Sequence, residues 1–189
     1  MEGPQTYSSS HIRRQREAHA RADGYGRHRH LYLHRRIQQL AETLRQEKQT
    51  DTVTWLDYGC GKGGFIEQIR PFALFATITG YDPAVDAFSA RPREHFDLVT
   101  CLDVIDIVEP RFLGALLDDV ASLTGGLALF DCLTRPRRDS TLRPHPPFYW
   151  QYIVSQHMRV QQTEIEFPQL QDFERVVIIA KPQALARRG

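Results

Sequence analysis

Long apolar runs are missing from this 189-residue chain. None exceeds five residues, so no segment reads as a membrane-spanning helix. The first ten residues, Met1 to Ser10, are polar and lack an apolar stretch, so a signal peptide is not expected. Cysteine is scarce. Cys60, Cys101 and Cys132 lie far apart with no C-x-x-C pair, which argues against a disulfide framework and a zinc site and makes a reducing cytoplasm the expected setting. Lysine is nearly absent: Lys48, Lys62 and Lys181 stand against 21 arginines, a bias that requires no more than GC-rich codon usage. There is also little excess charge. The net charge of +1 argues against a generally basic nucleic-acid-coating protein.

What is present is ordinary in bulk and uneven in place. At 41% hydrophobic and 25% charged residues, the composition is that of a soluble globular chain. Its length suits one domain with a sizeable core and hardly two. The basic charge gathers near the N-terminus: His11 to Arg36 holds eight Arg and five His against Glu17 and Asp23.

The apolar pattern predicts α/β architecture. Residues 1–25 read as weakly ordered or helical with a polar surface. Leu33, Ile37, Leu40 and Leu44 form a helical stripe within a helix expected from about Arg27 to Lys48. Val53 to Asp57 reads as a buried strand, Phe65 to Arg70 as a helix ended by Pro71, and Ala76 to Tyr81 and Asp97 to Cys101 as further strands. Arg111 to Leu123 is an amphipathic helix that Gly125-Gly126 closes, followed by a strand at Leu127 to Cys132. Thr134 to Pro147 is a proline-rich basic loop, and Phe148 to His157 a short helix. Met158 to Glu166 and Glu174 to Lys181 read as an antiparallel hairpin. The alternation predicts a mostly parallel sheet. Only 14 residues separate Asp82 from Asp97, too few for a helix–strand–helix insert, so an edge strand is expected to be lost or shortened. No internal repeat is visible.

The strongest signal is Leu56-Asp57-Tyr58-Gly59-Cys60-Gly61-Lys62-Gly63-Gly64-Phe65, placed after a strand and opening a helix. Glycines allow a sharp turn and close ligand approach, and helix-start N–H groups can hold polar or anionic atoms. Both G-x-G-x-x-G and G-x-G-x-G fit, so spacing alone leaves a dinucleotide and another nucleotide-like ligand open. Asp57 decides against a pyrophosphate, which it would repel, and suits a ligand carrying an ammonium group. Asp82, in Gly80-Tyr81-Asp82-Pro83 at the end of the second strand, is placed to accept ribose hydroxyls.

LDYGCGKG, followed by GYDPA and FDLVTCLDVIDIVEP, resembles the class I S-adenosylmethionine-dependent methyltransferases, especially the small ubiquinone-type and natural-product enzymes. The resemblance covers roughly Val53 to Cys132 and the terminal hairpin. It implies a Rossmann-like methyltransferase fold, S-adenosylmethionine as cofactor, and site residues by position. Asp57 and the turn Gly59-Cys60-Gly61 would hold the methionine moiety. Asp82 would bind the ribose with Pro83 beside the adenine, and Cys101 and Leu102 would line the cofactor. The chain departs from its relatives at Asp106-Ile107, where many read Glu-His, so a histidine base is not available there.

Proton removal from an oxygen or nitrogen acceptor needs a group at the carboxyl ends of the strands. Asp103 is the favoured catalytic residue there, with Asp106 read as a helix cap. His145, in the loop where such folds build acceptor pockets, is a second catalytic candidate. Tyr149 and Trp150 could wall an acceptor, and Tyr25 and Arg135 could meet an anionic one as the basic N-terminal segment folds over the cleft. No third ligand joins Asp103 and Asp106, so no metal is expected. These readings divide the chain into an N-terminal helical cover, 1–50, and a cofactor-binding domain, 51–183. They predict methyl transfer to an oxygen or nitrogen of a small, anionic molecule, with no membrane partner, nucleic acid disfavoured and oligomerisation open. The alternatives are an RNA or protein methyltransferase docking through the Arg-rich N-terminus, a non-catalytic cofactor-binding regulator, and, more remotely, a nicotinamide enzyme.

Overall fold

The structure, a computed structural model, describes residues 5–21, 31–134, 145–166 and 174–183. Its helices are α1 (Ser9–Arg21), α2 (His34–Lys48), α3 (Gly64–Ile69), α4 (Pro110–Leu123) and α5 (Pro147–Ser155). Its strands are β1 (Val53–Tyr58), β2 (Phe75–Tyr81), β3 (Phe96–Leu102), β4 (Thr124–Leu133), β5 (Met158–Glu166) and β6 (Arg175–Pro182). The six strands form one sheet in the order β2-β1-β3-β4-β6-β5. The first four run parallel, and β6 and β5 are antiparallel.

Period-two alternation divides the core between the two faces. Trp55, Leu98, Leu127 and Leu129 face α2 and α3, where they meet Ile37, Leu44, Phe65 and Ile69. Leu56, Val99, Ala128 and Phe130 face the other way, onto Leu113, Leu116 and Val120 of α4 and Val154 of α5. The predicted stripe Leu33, Ile37, Leu40 and Leu44 is buried. At about 1.5–3 kcal/mol per buried side chain, it fastens α2 firmly to the sheet. The helix itself begins at His34, after a 3-10 turn at Leu31–Leu33; the expected start at Arg27 lies outside the described residues.

Two departures have local causes. Gly125 and Gly126 do not close α4 but belong to β4. A Cβ on Gly126 would lie 2.4 Å from the Asp97 carbonyl oxygen, so glycine is what lets β4 approach β3 there. Between β2 and β3 the chain makes only a 3-10 turn at Asp86–Phe88, so β2 is left as the edge of the parallel half. Arg91 in this short crossover ties it down, donating to Asp119 Oδ1 of α4 at 2.8 and 2.6 Å. Tyr58 donates to the other oxygen of the same carboxylate at 2.9 Å. Among the described residues no helix is long and apolar enough to cross a membrane.

Candidate active site

β1 delivers Asp57 to the carboxyl edge of the sheet, and the chain then turns through Gly59 to Gly63 into α3. Gly59 and Gly61 take left-handed backbone, φ 83° and 55°, which costs an L-residue about 1–2 kcal/mol. Gly59 is constrained twice over, because a Cβ there would lie 2.3 Å from Val104 Cγ2. The turn is locked to the end of β2. The N–H groups of Gly59 and Cys60 donate to Tyr81 O at 2.7 and 3.2 Å, and the Gly61 N–H donates to Asp82 Oδ2 at 3.0 Å. With Gly63 N–H on Cys60 O at 3.0 Å, four amides of the turn are already in use.

Asp57 is buried and held from β3. Its register partner there, Thr100, donates its hydroxyl to Asp57 Oδ1 at 2.7 Å and accepts the Trp55 indole N–H at 3.0 Å. Asp82 is similarly fixed, with Oδ1 taking the Ala84 N–H at 2.8 Å. Asp57, Asp82, Pro83, Leu102 and Asp103 all line one cleft at the carboxyl edge of the sheet. The cleft is acidic: three carboxylates line it, and no lysine or arginine does among the described residues.

The far wall is α1. Its positions i, i+4 and i+8 (His11, Gln15 and His19) face the cleft beside Ile12 and Tyr7. Its arginines do not, since Arg13, Arg14, Arg16 and Arg21 are exposed. The first half of α1 is tied to Glu109, the residue before α4. Ser8 hydrogen-bonds the Glu109 carboxylate, and Arg14 and His11 lie 3.8 Å from it. The second half reaches Asp82 through His19 and Asp86 through Arg16. Burial lowers the pKa of both histidines.

On the other side of the cleft Asp103 has left-handed backbone, φ 55°. Two partners hold it there: its N–H donates to Asp131 O at 3.0 Å, and its carboxylate is ion-paired with Arg175. Arg175 opens β6 and is buried. Its Nε lies 2.9 Å from both oxygens of the fully buried Asp131, which also accepts the Tyr32 hydroxyl. Asp106 adjoins this network. Its Oδ2 accepts the Leu133 N–H at 3.0 Å, while Oδ1 is enclosed without a hydrogen-bond partner among the described residues. Burial, and then the neighbouring Asp103, push its pKa up to about 7.

A family model described as a methyltransferase domain matches residues 25–177. The chain belongs to the methyltransferase-domain family. No curated protein is similar to this methyltransferase in sequence. Solved structures share its fold. The N-methyltransferase NodS from Bradyrhizobium japonicum WM9, in complex with S-adenosyl-L-homocysteine, is 17% identical with a TM-score of 0.64, over 92% of this chain and 99% of that one. The 1,6-didemethyltoxoflavin-N1-methyltransferase of Burkholderia thailandensis, with bound 1,6-didemethyltoxoflavin and S-adenosylhomocysteine, is 11% identical with a TM-score of 0.70, over 97% and 94%. The magnesium protoporphyrin IX methyltransferase of Synechocystis PCC 6803, with bound S-adenosylmethionine, is 15% identical with a TM-score of 0.60, over 92% and 98%.

The methyltransferase cleft gathers Asp57, Gly59, Cys60, Gly61, Asp82, Pro83, Leu102 and Asp103 in one lining. Cys101 is fully buried under it, so its side chain does not reach the cleft. His145, Tyr149 and Trp150 do not line it either. His145 stacks on Tyr149 at 3.9 Å and meets Trp150 edge-on at 5.3 Å. Trp150 is buried and donates its indole N–H to Leu133 O at 3.2 Å, so its indole anchors α5 to β4. Tyr25 and Arg135 lie outside the described residues. Asp106 is not at a helix N-terminus as read from sequence; its carboxyl takes an N–H at the end of β4. Sequence reading missed Thr100, the α1 histidines and Arg175. His11, Gln15 and His19 do carry a signal in their i, i+4, i+8 spacing, and Arg175 in being a lone charge opening an apolar strand.

Proposed function

We propose that the protein transfers a methyl group from S-adenosylmethionine to an oxygen or nitrogen of a small molecule. The observation that carries this reading is the charge of the cleft. Asp57, Asp82 and Asp103 face a space that no lysine or arginine lines among the described residues, which favours a cationic ligand. The amides of Gly59, Cys60 and Gly61 are spent on Tyr81 and Asp82, which leaves little for a pyrophosphate. The donor set therefore fits a ligand bearing an ammonium, a sulfonium and a ribose diol. Asp57 with the Gly59-Cys60-Gly61 turn would hold the amino-acid end, Asp82 the diol, and Pro83 the base. Leu102 and the backbone of Cys101 would support it from below.

The cofactor, when bound, supplies an activated methyl group with a good leaving group. The chain's part is then to orient and to exclude water. α1 covers the cleft. Asp103, fixed by Arg175 and Asp131, presents a carboxylate that can orient an acceptor and take its proton. Arg135 and Tyr25 belong to the acceptor side of this reading, with an anionic acceptor meeting Arg135, whereas His145 and Tyr149 stack on each other outside the cleft lining. The exposed arginines of α1 favour a second reading, docking on RNA or protein, which a salt-dependent gel shift with RNA would support.

Calorimetry with S-adenosylmethionine, S-adenosylhomocysteine and NAD tests the cofactor assignment. Binding of the first two and not of NAD is expected, and Asp57→Ala should abolish it. Tight NAD binding alone overturns the reading. Transfer of labelled methyl to small-molecule acceptors tests the activity, and cofactor binding without turnover across an acceptor library favours a regulatory module.

A further inference from the structure

The cover helix is held largely by polar groups, and among the described residues its ion pairs to the domain end on Glu109 at one end and on Asp82 and Asp86 at the other. Only one of these carboxylates lies in the cleft. Asp82 is the group read above as the ribose acceptor, and the residue that reaches it is His19.

His19 rests directly on the glycine turn. A Cβ on Gly61 would lie 3.1 Å from His19 Cε1. Its Nε2 stands 3.9 Å from Asp82 Oδ2, the oxygen that takes the Gly61 N–H. That separation exceeds a hydrogen bond, so the ring stands over the carboxylate without occupying a lone pair on it. Among the described residues, two charged groups face the ring, Asp82 at the end of β2 and Lys62 in the glycine turn. The other titratable groups lining the cleft, among the described residues, are Tyr7, His11, Asp57, Cys60 and Asp103. Burial lowers the imidazole pKa below 6.5, Asp82 opposes this, and Lys62 adds to it. At neutral pH the ring is therefore uncharged, with one donor and one acceptor nitrogen.

We propose that His19 is a cofactor-binding residue, forming with Asp82 a two-sided ribose subsite in which the carboxylate holds the diol and the imidazole closes over it. The proposal rests on the reading of the cleft as an S-adenosylmethionine site. It makes the subsite sensitive to acid. A neutral imidazole can exchange hydrogen bonds with a ribose hydroxyl, whereas an imidazolium becomes an internal counter-ion for Asp82 and competes with the diol. Bound ligand encloses the ring further and engages the carboxylate, so the complex disfavours the added proton. Affinity therefore falls as pH drops through the pKa of His19 in the free protein.

The test uses the full chain and S-adenosylhomocysteine, titrated calorimetrically between about pH 8 and about pH 5.5. Wild type should lose affinity about threefold across that range, and in no case more than about tenfold, because the free His19 titrates below 6.5. His19→Ala should bind about tenfold more weakly at the higher pH and lose the pH response. His19→Asn, which keeps a neutral donor and acceptor, should recover most of the affinity and show no pH response. With the 2′-deoxyribose analogue, the loss from His19→Ala should shrink to about twofold or less. Thermal melting confirms that each variant is folded, and His19→Asn carries the test if the alanine variant is not. Wild type that binds S-adenosylhomocysteine while His19→Ala and His19→Asn match it at every pH overturns the proposal alone. So does an alanine loss that persists undiminished with the deoxy analogue. Wild type that binds neither S-adenosylmethionine nor S-adenosylhomocysteine overturns the cofactor reading, and this proposal with it.

Discussion

Thr100 on β3 donates its hydroxyl proton to Asp57 on β1 across 2.7 Å, and the two are register partners in the sheet. The same oxygen receives the Trp55 indole N–H. A carboxylate expected to meet a cationic ligand is therefore oriented from inside the sheet, by groups that no ligand touches. Thr100→Val keeps the shape and removes both bonds. S-adenosylhomocysteine affinity should fall about tenfold, as expected for losing a hydrogen bond to a charged group. Calorimetry on the variant checks it, with an unchanged Asp82→Asn effect as the comparison.

Gly59→Ala brings two separate costs, a left-handed φ of 83° and a Cβ 2.3 Å from Val104 Cγ2. Together they should destabilise the fold by at least about 2 kcal/mol. Adding Val104→Ala removes the clash but not the backbone strain. A double-mutant cycle by urea denaturation should show a favourable coupling of about 1 kcal/mol.

Arg175 is the sole described cation between Asp131 and Asp103. Arg175→Ala leaves the fully buried Asp131, and Asp103 beside it at the cleft, without a counter-charge and should cost about 3–5 kcal/mol. Arg175→Lys keeps the charge but loses the fork that spans both carboxylates, and should cost about 1–3 kcal/mol. Denaturation curves at neutral pH separate the two outcomes.

Asp106 makes stability depend on pH. Its folded pKa is raised to about 7, above the ordinary aspartate value. Its contribution is therefore fully present below the unfolded pKa and is lost as pH rises through about 7. Asp106→Asn should flatten that loss, on the order of 4 kcal/mol across the window. Denaturant midpoints of both proteins from acid to slightly alkaline pH measure it. Parallel curves would show that the carboxyl does not hold its proton in the folded state.

Much of this architecture was legible because it rests on local repetition. The period-two strands around Trp55 and Phe130 and the helical stripe through Ile37 and Leu44 fall where the pattern places them. Only 14 residues between Asp82 and Asp97 foretold the missing edge strand. Asp57 and Asp82 stood out because they flank a glycine turn and end a strand. Long-range pairing was not legible. Arg175 lies 72 positions from Asp103 in sequence, and nothing local to either marks the other. Thr100 is one β-branched residue among many until the β1–β3 register sets it opposite Asp57. Gly126 reads as a helix terminator because glycine does end helices, and the close approach of Asp97 that requires it belongs to another strand. Trp150 reads equally as pocket wall or core, and the deciding partner, the Leu133 carbonyl, is 17 residues away.

The 3-10 turn at Asp86–Phe88 bears on how the chain tolerates insertions. Lengthening a surface loop is ordinarily cheap, since doubling it adds only about 0.6 kcal/mol of closure entropy. Here the Phe88 carbonyl accepts the Asp82 N–H at 2.9 Å, and the Phe88 ring fills the space beside Gly63 and Gly80. This short segment between β2 and β3 is the backing of Asp82. Extra residues there would pull that backing away, which makes the shortest crossover in the sheet its least extensible one.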